Sequence, residues 1–203
     1  MQLQHGHLHK IIPEGKKGEF AVIHSEVSEA EAQRVRMYDY KGEYDGFTPG
    51  TYTILKDSCD IIMSDTPMEI KTNQTIINRA HGRVLIGGLE LGLILLELQK
   101  NKRIEIVTVV EKNSEVIDLV LPHLKLDDRF SVVKGDIFQY TFSKLTKFDT
   151  IYFDIWNSIC GDNVEEMVEL KKKYAKHFNK DNKFSYLGCW RESDCKRLNR
   201  SYR

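Results

Sequence analysis

Residues 83–93 read RVLIGGLELGL, a short apolar run that ends in two glycines and continues at once into a second apolar run. The first run predicts a buried strand over residues 84–86, and the second predicts an apolar helix over residues 89–99. Strands that alternate with helices predict an α/β fold with a mostly parallel sheet and helices on both faces. The alternation continues with strands predicted at 104–110, 130–133, 150–155 and 184–190, and helices at about 114–121 and 164–178.

The beginning of the chain has a different pattern. Residues 1–18 mix His, Gly and Lys and predict a flexible lead, followed by a short strand at 20–23. Ser28 and Glu31 have the spacing of a capping box, which predicts a helix that ends near residue 37. The Tyr-, Asp- and Gly-rich stretch 37–50 then predicts a loop.

Two β-favouring runs separated by KDSC predict a hairpin over residues 52–63. A Thr-Pro pair then starts a helix predicted over residues 66–80. We therefore expect an N-terminal extension with a β-hairpin at residues 1–63. The main α/β domain is predicted at residues 64–203.

Composition indicates an ordinary globular protein with one main core, since the 203 residues are 41% hydrophobic and 30% charged. The longest apolar stretch, residues 84–98, contains two glutamates and is shorter than the ~20 residues that span a bilayer, so no membrane segment is predicted. The four cysteines lack metal-type spacing and no apolar signal segment is seen, which indicates a cytoplasmic protein. His5, His7 and His9 alternate without a second ligand cluster, and we predict no metal site.

Charge is balanced over the whole chain but not along it. Lys plus Arg and Asp plus Glu both total 30, so the net charge gives no argument for a nucleic-acid partner. Residues 171–203 hold eleven Lys or Arg against three acids, a net charge of +8. A solvated helix face with a basic tail accounts for this excess. A nucleic-acid partner stays an alternative without support.

Acidic side chains follow the predicted strands of the main domain. Glu111 comes directly after IEIVTVV, Asp136 follows FSVVK and one glycine, and Asp154 lies near the end of TIYFDI. The carboxyl ends of parallel strands meet at one edge, so these acids and the turn Gly87-Gly88 should converge on one crevice. A carboxylate after the second strand can accept both hydroxyls of a ribose, and the glycines let a ligand approach the backbone. Each feature alone also fits plain packing or an exposed strand end; together they predict a site for an adenosine-containing cofactor.

Four runs in this order resemble the motifs of class I S-adenosylmethionine-dependent methyltransferases, and in particular of their spermidine-synthase-like branch. The runs are RVLIGGLELGL, VVEKNSEVI, VVKGDIFQY and FDTIYFDIW, and the resemblance covers roughly residues 64–190. That branch carries an acid at the fourth place of its glycine-rich turn, as Glu90 here. It also has a β-hairpin that feeds a helix, as in YTILKDSCDIIMSDTPMEI here. The resemblance implies a Rossmann-like sheet, S-adenosylmethionine as the cofactor, and methyl transfer to a small or large substrate that the sequence does not identify.

The resemblance also implies roles for individual residues. Six would hold the cofactor, three at the methionine moiety, one at the ribose and two at the adenine: Gly88, Glu90 and Gly92, then Glu111, then Asp136 and Ile137. Asp154 would line the transfer site as the candidate catalytic residue. Trp156 and Asn157 are the candidates on the substrate side.

Three departures from that branch narrow the prediction. Glu90 stands where most class members have their middle glycine, so it either binds the ammonium group of the cofactor or crowds it. The run Asp154-Ile155-Trp156-Asn157 lacks the second acid that serves a diamine substrate, which argues against aminopropyl transfer. After Trp190, too little chain remains for the last two strands of the family's sheet. The sheet edge is then covered by the N-terminal strands, covered by a partner subunit or left bare, and we expect self-association through this edge or through the basic last segment.

Two other classes of function stay open. One is a non-catalytic protein that binds S-adenosylmethionine or adenosine, as a sensor or in an assembly, which Glu90 and the missing strands favour. The other is an NAD-dependent oxidoreductase, which shares the ribose-binding acid. Against that class, a G-x-G-x-x-G pattern read from Gly87 has Leu89 at its second glycine.

Overall fold

The computed structural model of the protein describes residues 7–201, and this part of the chain divides into two compact units. The first unit holds the residues up to Gln74 together with Glu90–Leu93 and Glu115–Lys125. The second unit holds Thr75–Leu89, Ile94–Ser114 and the residues from Leu126 onward. The domain boundary predicted after residue 63 stays a prediction.

An antiparallel sheet of four strands, paired in chain order, forms the first unit. The elements are β1 (Gly15–Lys17), β2 (Phe20–Val27), α1 (Glu29–Tyr38), β3 (Gly50–Lys56), β4 (Ile61–Ser64) and α2 (Pro67–Thr72). The predicted hairpin is confirmed as β3 and β4, with a register shift between Leu55 and Lys56. The sequence prediction missed β1 because GKK has no apolar alternation, and its place depends on pairing with β2.

Helix α1 begins where the capping box predicts. The Ser28 side chain accepts a hydrogen bond from the Glu31 N–H, and the Glu31 carboxylate accepts the Ser28 N–H at 2.8 Å. The helix buries Ala32 in a small apolar cluster with the rings of Phe47 and Tyr52, whose centroids are 4.8 Å apart. This cluster fixes α1 and the following loop within the first unit.

The described part of the predicted flexible lead is ordered, which corrects the prediction for residues 7–17. Leu8 and Ile12 are buried, and a 3₁₀ turn over Leu8–Lys10 precedes β1. The reason is Asp65, which is 1% exposed and accepts the N–H groups of Leu8 at 2.9 Å and Thr53 at 2.6 Å. Burial raises the pKa of Asp65, although both N–H groups oppose that rise. A partner 57 positions away could not be read from the local sequence.

Replacing Asp65 tests how this carboxylate orders the start of the chain. Asp65→Ala leaves two buried N–H groups without their acceptor, and we expect a loss of about 1–3 kcal/mol in the free energy of unfolding. Backbone amides of residues 8–12 should also exchange faster with solvent. Asp57→Ala is the matched control, because Asp57 also accepts two backbone N–H groups but in an exposed turn. Equal losses in urea denaturation of the two variants would contradict the assignment.

Five parallel strands form the sheet of the second unit. They are β5 (Gly82–Gly87), β6 (Ile104–Glu111), β7 (Phe130–Lys134), β8 (Thr150–Phe153) and β9 (Tyr186–Cys189). Their order is β7-β6-β5-β8-β9, so the chain moves outward from β5 and then returns to the other side of it. This is the doubly wound order, and the reversal between β5 and β8 is a topological switch point. The predicted Rossmann-like α/β fold is confirmed.

Burial of the two central strands agrees with this fold. Residues 84–87 of β5 and every residue of β8 are buried. Parallel strands that are covered on both faces have this burial, whereas a half-exposed strand alternates. The continuous apolar runs in the sequence therefore correctly predicted strands at the centre of the sheet.

The remaining helices differ from the predicted pattern in number, because residues 66–80 form two helices and a helix that was not predicted follows β9. They are α3 (Gln74–Arg79), α4 (Leu93–Leu98), α5 (Ser114–Val120), α6 (Asn163–Tyr174) and α7 (Glu192–Ser201). Helix α4 begins four residues later than predicted, because Glu90 has φ +51° and Gly92 has φ +69°. A right-handed helix cannot contain such left-handed residues. Glu90 therefore lies in a turn before the helix, not at the helix start.

Within residues 7–201, the chain after β9 forms α7 and adds no strand to the parallel sheet. The N-terminal strands make their own sheet and do not extend the parallel one. No helix in this part of the chain is both long enough and apolar enough to cross a bilayer.

Candidate functional site

The carboxyl ends of the parallel strands lie in register at one edge of the sheet. The pairs at this edge are Gly87 with Val110, Gly87 with Phe153, Glu111 with Lys134, and Phe153 with Cys189. The predicted residues Gly88, Glu111, Asp136 and Asp154 therefore all stand at or directly after this edge. The structure brings them together as the strand pattern predicted, while their roles as cofactor contacts stay predictions.

Gly88 lies at the switch point between β5 and β8. Its N–H donates to the Val110 carbonyl at 3.0 Å, and the Asp154 N–H donates to the Gly87 carbonyl at 2.8 Å. Gly88 has φ +101°, and a Cβ placed on it would lie 1.9 Å from the Asp154 carbonyl oxygen. Only glycine fits here, because the two turns touch through their backbones.

Glu111 joins the turn after β5 to the turn after β6. It is 6% exposed, and its carboxylate accepts the Leu89 N–H at 2.8 Å and the Asn113 N–H at 2.7 Å. The two N–H groups bind different oxygens, Oε2 and Oε1. Because an ionised carboxylate offers about four acceptor positions, each oxygen keeps a further lone pair.

Asp136 and Ile137 occupy the turn after β7. Asp136 Oδ1 accepts the Phe138 N–H at 2.9 Å, and Oδ2 lies 3.6 Å from the ammonium group of Lys112. Ile137 is buried, and its carbonyl accepts a hydrogen bond from the Tyr174 hydroxyl at 2.9 Å. Sequence reasoning missed Lys112, although its place directly after Glu111 was a usable signal.

The candidates on the substrate side have unequal surroundings. Asp154 is 2% exposed, whereas Asn157 is exposed in a bend of the loop after β8. Trp156 is buried, and its indole N–H donates to the Glu166 carboxylate of α6 at 2.7 Å. This contact gives Trp156 a packing role in the second unit, and a role at a substrate stays a prediction for Trp156 and Asn157.

Sequence reasoning missed a charge cluster beside β9. The Glu192 carboxylate accepts hydrogen bonds from Lys171 at 2.5 Å and Lys196 at 2.6 Å. Burial opposes the ionisation of Glu192, but these two bonds outweigh burial and hold its pKa below its usual range. Nearby, burial chiefly raises the pKa of the Cys189 thiol to about 12; the Lys171 charge opposes that rise and the Glu192 charge adds to it. Only the pair Glu192 and Lys196, one helical turn apart, could have been found from spacing.

The glycine-rich turn divides between the two units. Glu90 is half-buried and Gly92 is buried, and both are counted with the first unit. A Cβ placed on Gly92 would lie 2.2 Å from Leu124 Cδ1, in that same unit. Gly92 is therefore a close-packing position as well as a predicted cofactor contact.

Among residues 7–201, no group of three or more His, Cys, Asp or Glu side chains is placed to hold a metal ion. His5 lies outside the described residues. His7 is exposed, and the ring of His9 packs edge-on against His24 at 6.0 Å.

No protein-family model and no curated protein sequence matches the chain. Solved structures with distant similarity include the N-methyltransferase NodS of Bradyrhizobium japonicum WM9, with TM-score 0.44 and 16% identity over 56% of this chain and 64% of that one. A second is YcgJ of Bacillus subtilis, with TM-score 0.43 and 15% identity over 55% of this chain and 47% of that one. A third is the plantazolicin methyltransferase BpumL in complex with SAH, with TM-score 0.38 and 15% identity over 54% of this chain and 39% of that one.

The chain spans less than two thirds of the length of each of these structures. Similarity this distant does not establish a common activity. The strand order, the buried central strands and the aligned carboxyl ends define the class by themselves. The chain is a doubly wound α/β protein whose polar residues gather at the edge where such sheets bind ligands.

Proposed function

We propose that the chain binds S-adenosylmethionine and transfers its methyl group to a substrate that is still to be identified. The observation that carries the proposal is the position of Glu111, a buried carboxylate at the end of the strand next to β5. In doubly wound folds a carboxylate at this place accepts the hydroxyls of a ribose. Four sequence runs resemble motifs of class I methyltransferases and occur in the same order. This resemblance favours S-adenosylmethionine over other adenosine-containing cofactors.

The donors and acceptors of the edge fit an adenosine. Glu111 uses one acceptor position on each oxygen for Leu89 and Asn113, which leaves one on each for the two ribose hydroxyls. Gly88 keeps the turns after β5 and β8 in direct backbone contact at this edge. Asp136 Oδ2 could accept from the adenine amino group if Lys112, whose side chain is 72% exposed, moved aside.

Bound S-adenosylmethionine would supply an activated methyl group on its sulfonium. The protein then has to orient a nucleophile in line with the methyl carbon and exclude water. Asp154, buried at the switch point, is our candidate to orient that nucleophile or accept its proton. The spermidine-synthase-like branch and self-association stay predictions, as does a cytoplasmic location.

The second candidate function is cofactor binding without turnover. The observation that favours it is the left-handed backbone of Glu90, which places a charged side chain in a turn where most class members have glycine. A non-glycine residue in this conformation is a strained position of the kind found at ligand sites. The conformation of Glu90 is compatible with a direct contact to the cofactor and also with a side chain that crowds the cofactor.

Calorimetric titration with five ligands tests the proposal and its alternatives. The ligands are S-adenosylmethionine, S-adenosylhomocysteine, decarboxylated S-adenosylmethionine, methylthioadenosine and NAD. We expect micromolar-class binding of the first or second. Binding of NAD at millimolar concentration without either of them would refute the proposal, and a preference for methylthioadenosine would favour the non-catalytic candidate.

Substitutions of Glu90 distinguish the two candidate functions. If its carboxylate pairs with the cofactor's ammonium group, Glu90→Gln should weaken S-adenosylmethionine binding by about 1.5–3 kcal/mol, the range for hydrogen bonds to charged groups. Methylthioadenosine lacks that ammonium group, and its affinity should not change. Glu90→Gly is the companion variant, but it also removes the left-handed strain, so Glu90→Gln isolates the charge. Tighter S-adenosylmethionine binding by Glu90→Gly would instead show crowding and favour the non-catalytic candidate.

A further inference from the structure

The connection between β7 and β8, residues 135–149, contains no helix, whereas the other connections of the parallel sheet each contain one. Its backbone groups therefore need partners that a helix would have supplied. The turn at its start uses some of its own groups, because the N–H groups of Gln139 and Tyr140 donate to the Asp136 carbonyl at 2.8 and 2.6 Å. The carbonyls that follow Asp136 have to find donors elsewhere in the fold.

Helix α6 supplies these donors. The Tyr174 hydroxyl oxygen lies 2.9 Å from the Ile137 carbonyl oxygen and 3.1 Å from the Tyr140 carbonyl oxygen, and it donates to this pair. The neighbouring Lys173 ammonium group donates to the Phe138 carbonyl at 2.5 Å. Three carbonyls of the turn after β7 are thus held by two adjacent side chains of α6.

The Tyr174 side chain is itself firmly placed. It is fully buried, and its ring centroid lies 5.4 Å from that of Phe153, the last residue of β8, and 6.3 Å from that of Phe142. Burial chiefly raises the pKa of the Tyr174 hydroxyl, so the group keeps its proton and stays a donor. Tyr174 therefore joins the end of β8 to the turn after β7.

The turn that Tyr174 holds belongs to the edge proposed to bind the cofactor. A Cβ placed on Gly87, the last residue of β5, would lie 3.1 Å from Ile137 Cγ1, so the Ile137 side chain packs on the end of β5. Asp136 Oδ1 accepts the Phe138 N–H at 2.9 Å. The place of the Asp136 carboxylate therefore depends on the backbone that α6 holds.

We propose that Tyr174, together with Lys173, is a positioning residue that makes the site select adenine over other bases. The inference rests on the proposed function, in which the Asp136 carboxylate accepts from the adenine amino group. Hypoxanthine has a carbonyl in place of that amino group and would set an oxygen against the carboxylate without a hydrogen bond. A firmly held turn keeps the carboxylate there, whereas a loosened turn lets it move away from the wrong base.

Tyr174→Phe tests the inference, because it removes the hydroxyl and keeps the ring in its packing. Calorimetric titration compares methylthioadenosine with methylthioinosine, which carries hypoxanthine. The unmodified chain should prefer methylthioadenosine by roughly five- to a hundredfold, the range for one unpaired polar group. In Tyr174→Phe this preference should fall by roughly two- to tenfold, the range for one hydrogen bond. Amides of residues 137–140 should also exchange severalfold faster with solvent.

Tyr52→Phe is the matched control in the first unit. The Tyr52 hydroxyl also donates to a backbone carbonyl, that of Thr48, at 2.8 Å, and Tyr52 is 3% exposed. This variant should unfold at a lower urea concentration than the unmodified chain but keep the full preference for methylthioadenosine. The ratio of the two affinities separates positioning from lost stability, because a general loss of folded protein lowers both affinities alike.

Lys173→Met, which removes the donor to the Phe138 carbonyl, carries the test if Tyr174→Phe does not fold. An unchanged preference in the folded variant, or an equal fall in Tyr52→Phe, overturns the inference alone. Equal binding of the two nucleosides by the unmodified chain also overturns the inference and leaves the proposed function standing. If the unmodified chain binds neither methylthioadenosine nor S-adenosylmethionine, the proposed function fails and the base selectivity fails with it.

Discussion

Gly88→Ala is expected to lower the free energy of unfolding by about 2–5 kcal/mol, or to prevent folding. Left-handed backbone costs a non-glycine residue roughly 1–2 kcal/mol, and forcing extra volume into a packed site typically costs about 1–3 kcal/mol. The added methyl would meet a backbone oxygen at 1.9 Å, so no flexible side chain can move away. The ends of β5 and β8 would have to separate, and urea denaturation followed by circular dichroism measures the loss.

Gly46→Ala is the matched control for this prediction. Gly46 has φ +80°, but a Cβ placed on it meets nothing within 4 Å. The free energy of unfolding of Gly46→Ala should therefore fall only by the ~1–2 kcal/mol that backbone strain alone costs. A folded Gly46→Ala protein beside an unfolded Gly88→Ala protein also counts as the expected result. Equal losses would mean that the contact between the two turns is not tight.

Glu111→Ala should weaken the binding of S-adenosylmethionine and of methylthioadenosine by a similar amount. Both ligands contain the ribose, and loss of hydrogen bonds to a charged acceptor costs about 1.5–3 kcal/mol, roughly ten- to a hundredfold in affinity. The substitution also removes the acceptor of the Leu89 and Asn113 N–H groups. The free energy of unfolding should therefore fall by about 1–3 kcal/mol as well. Calorimetry and urea denaturation measure the two effects separately.

Glu111→Gln distinguishes binding from folding at this position. The Gln carbonyl oxygen can still accept one of the two N–H groups, so part of the stability should return. The charge that favours the ribose hydroxyls does not return, and the affinity for both ligands should stay low. Unchanged affinity in Glu111→Ala, with the fold intact by circular dichroism, would remove Glu111 from the site.

The sequence predicted the parallel sheet well, because burial on both faces leaves a direct trace in the apolar runs. Residues 84–86 and 150–155 read as strands by composition, and the structure has these strands as Gly82–Gly87 and Thr150–Phe153. The convergence of Glu111 and Asp154 at one edge followed from the rule that parallel strands point the same way. These predictions needed no knowledge of side-chain contacts.

Other features depended on contacts that local sequence does not contain. The start of the chain is ordered because the Leu8 N–H donates to Asp65, which lies far along the sequence. Helix α4 begins late because the backbone of Glu90 is left-handed. Nothing in the residue type of Glu90 predicts that conformation, since glycine and asparagine are the usual occupants.

The strand order has a consequence for how the chain reaches its folded state during synthesis. Strands β5, β6 and β7 are neighbours both in sequence and in the sheet, so their pairing closes short loops. Strand β8 pairs with β5, the earliest strand of the sheet, only after β6 and β7 have been made. Until the ribosome releases residues 150–153, one edge of β5 has no strand partner and presents unpaired backbone N–H and C=O groups. This interval is when the chain is most exposed to aggregation, and binding of a chaperone would be most useful then.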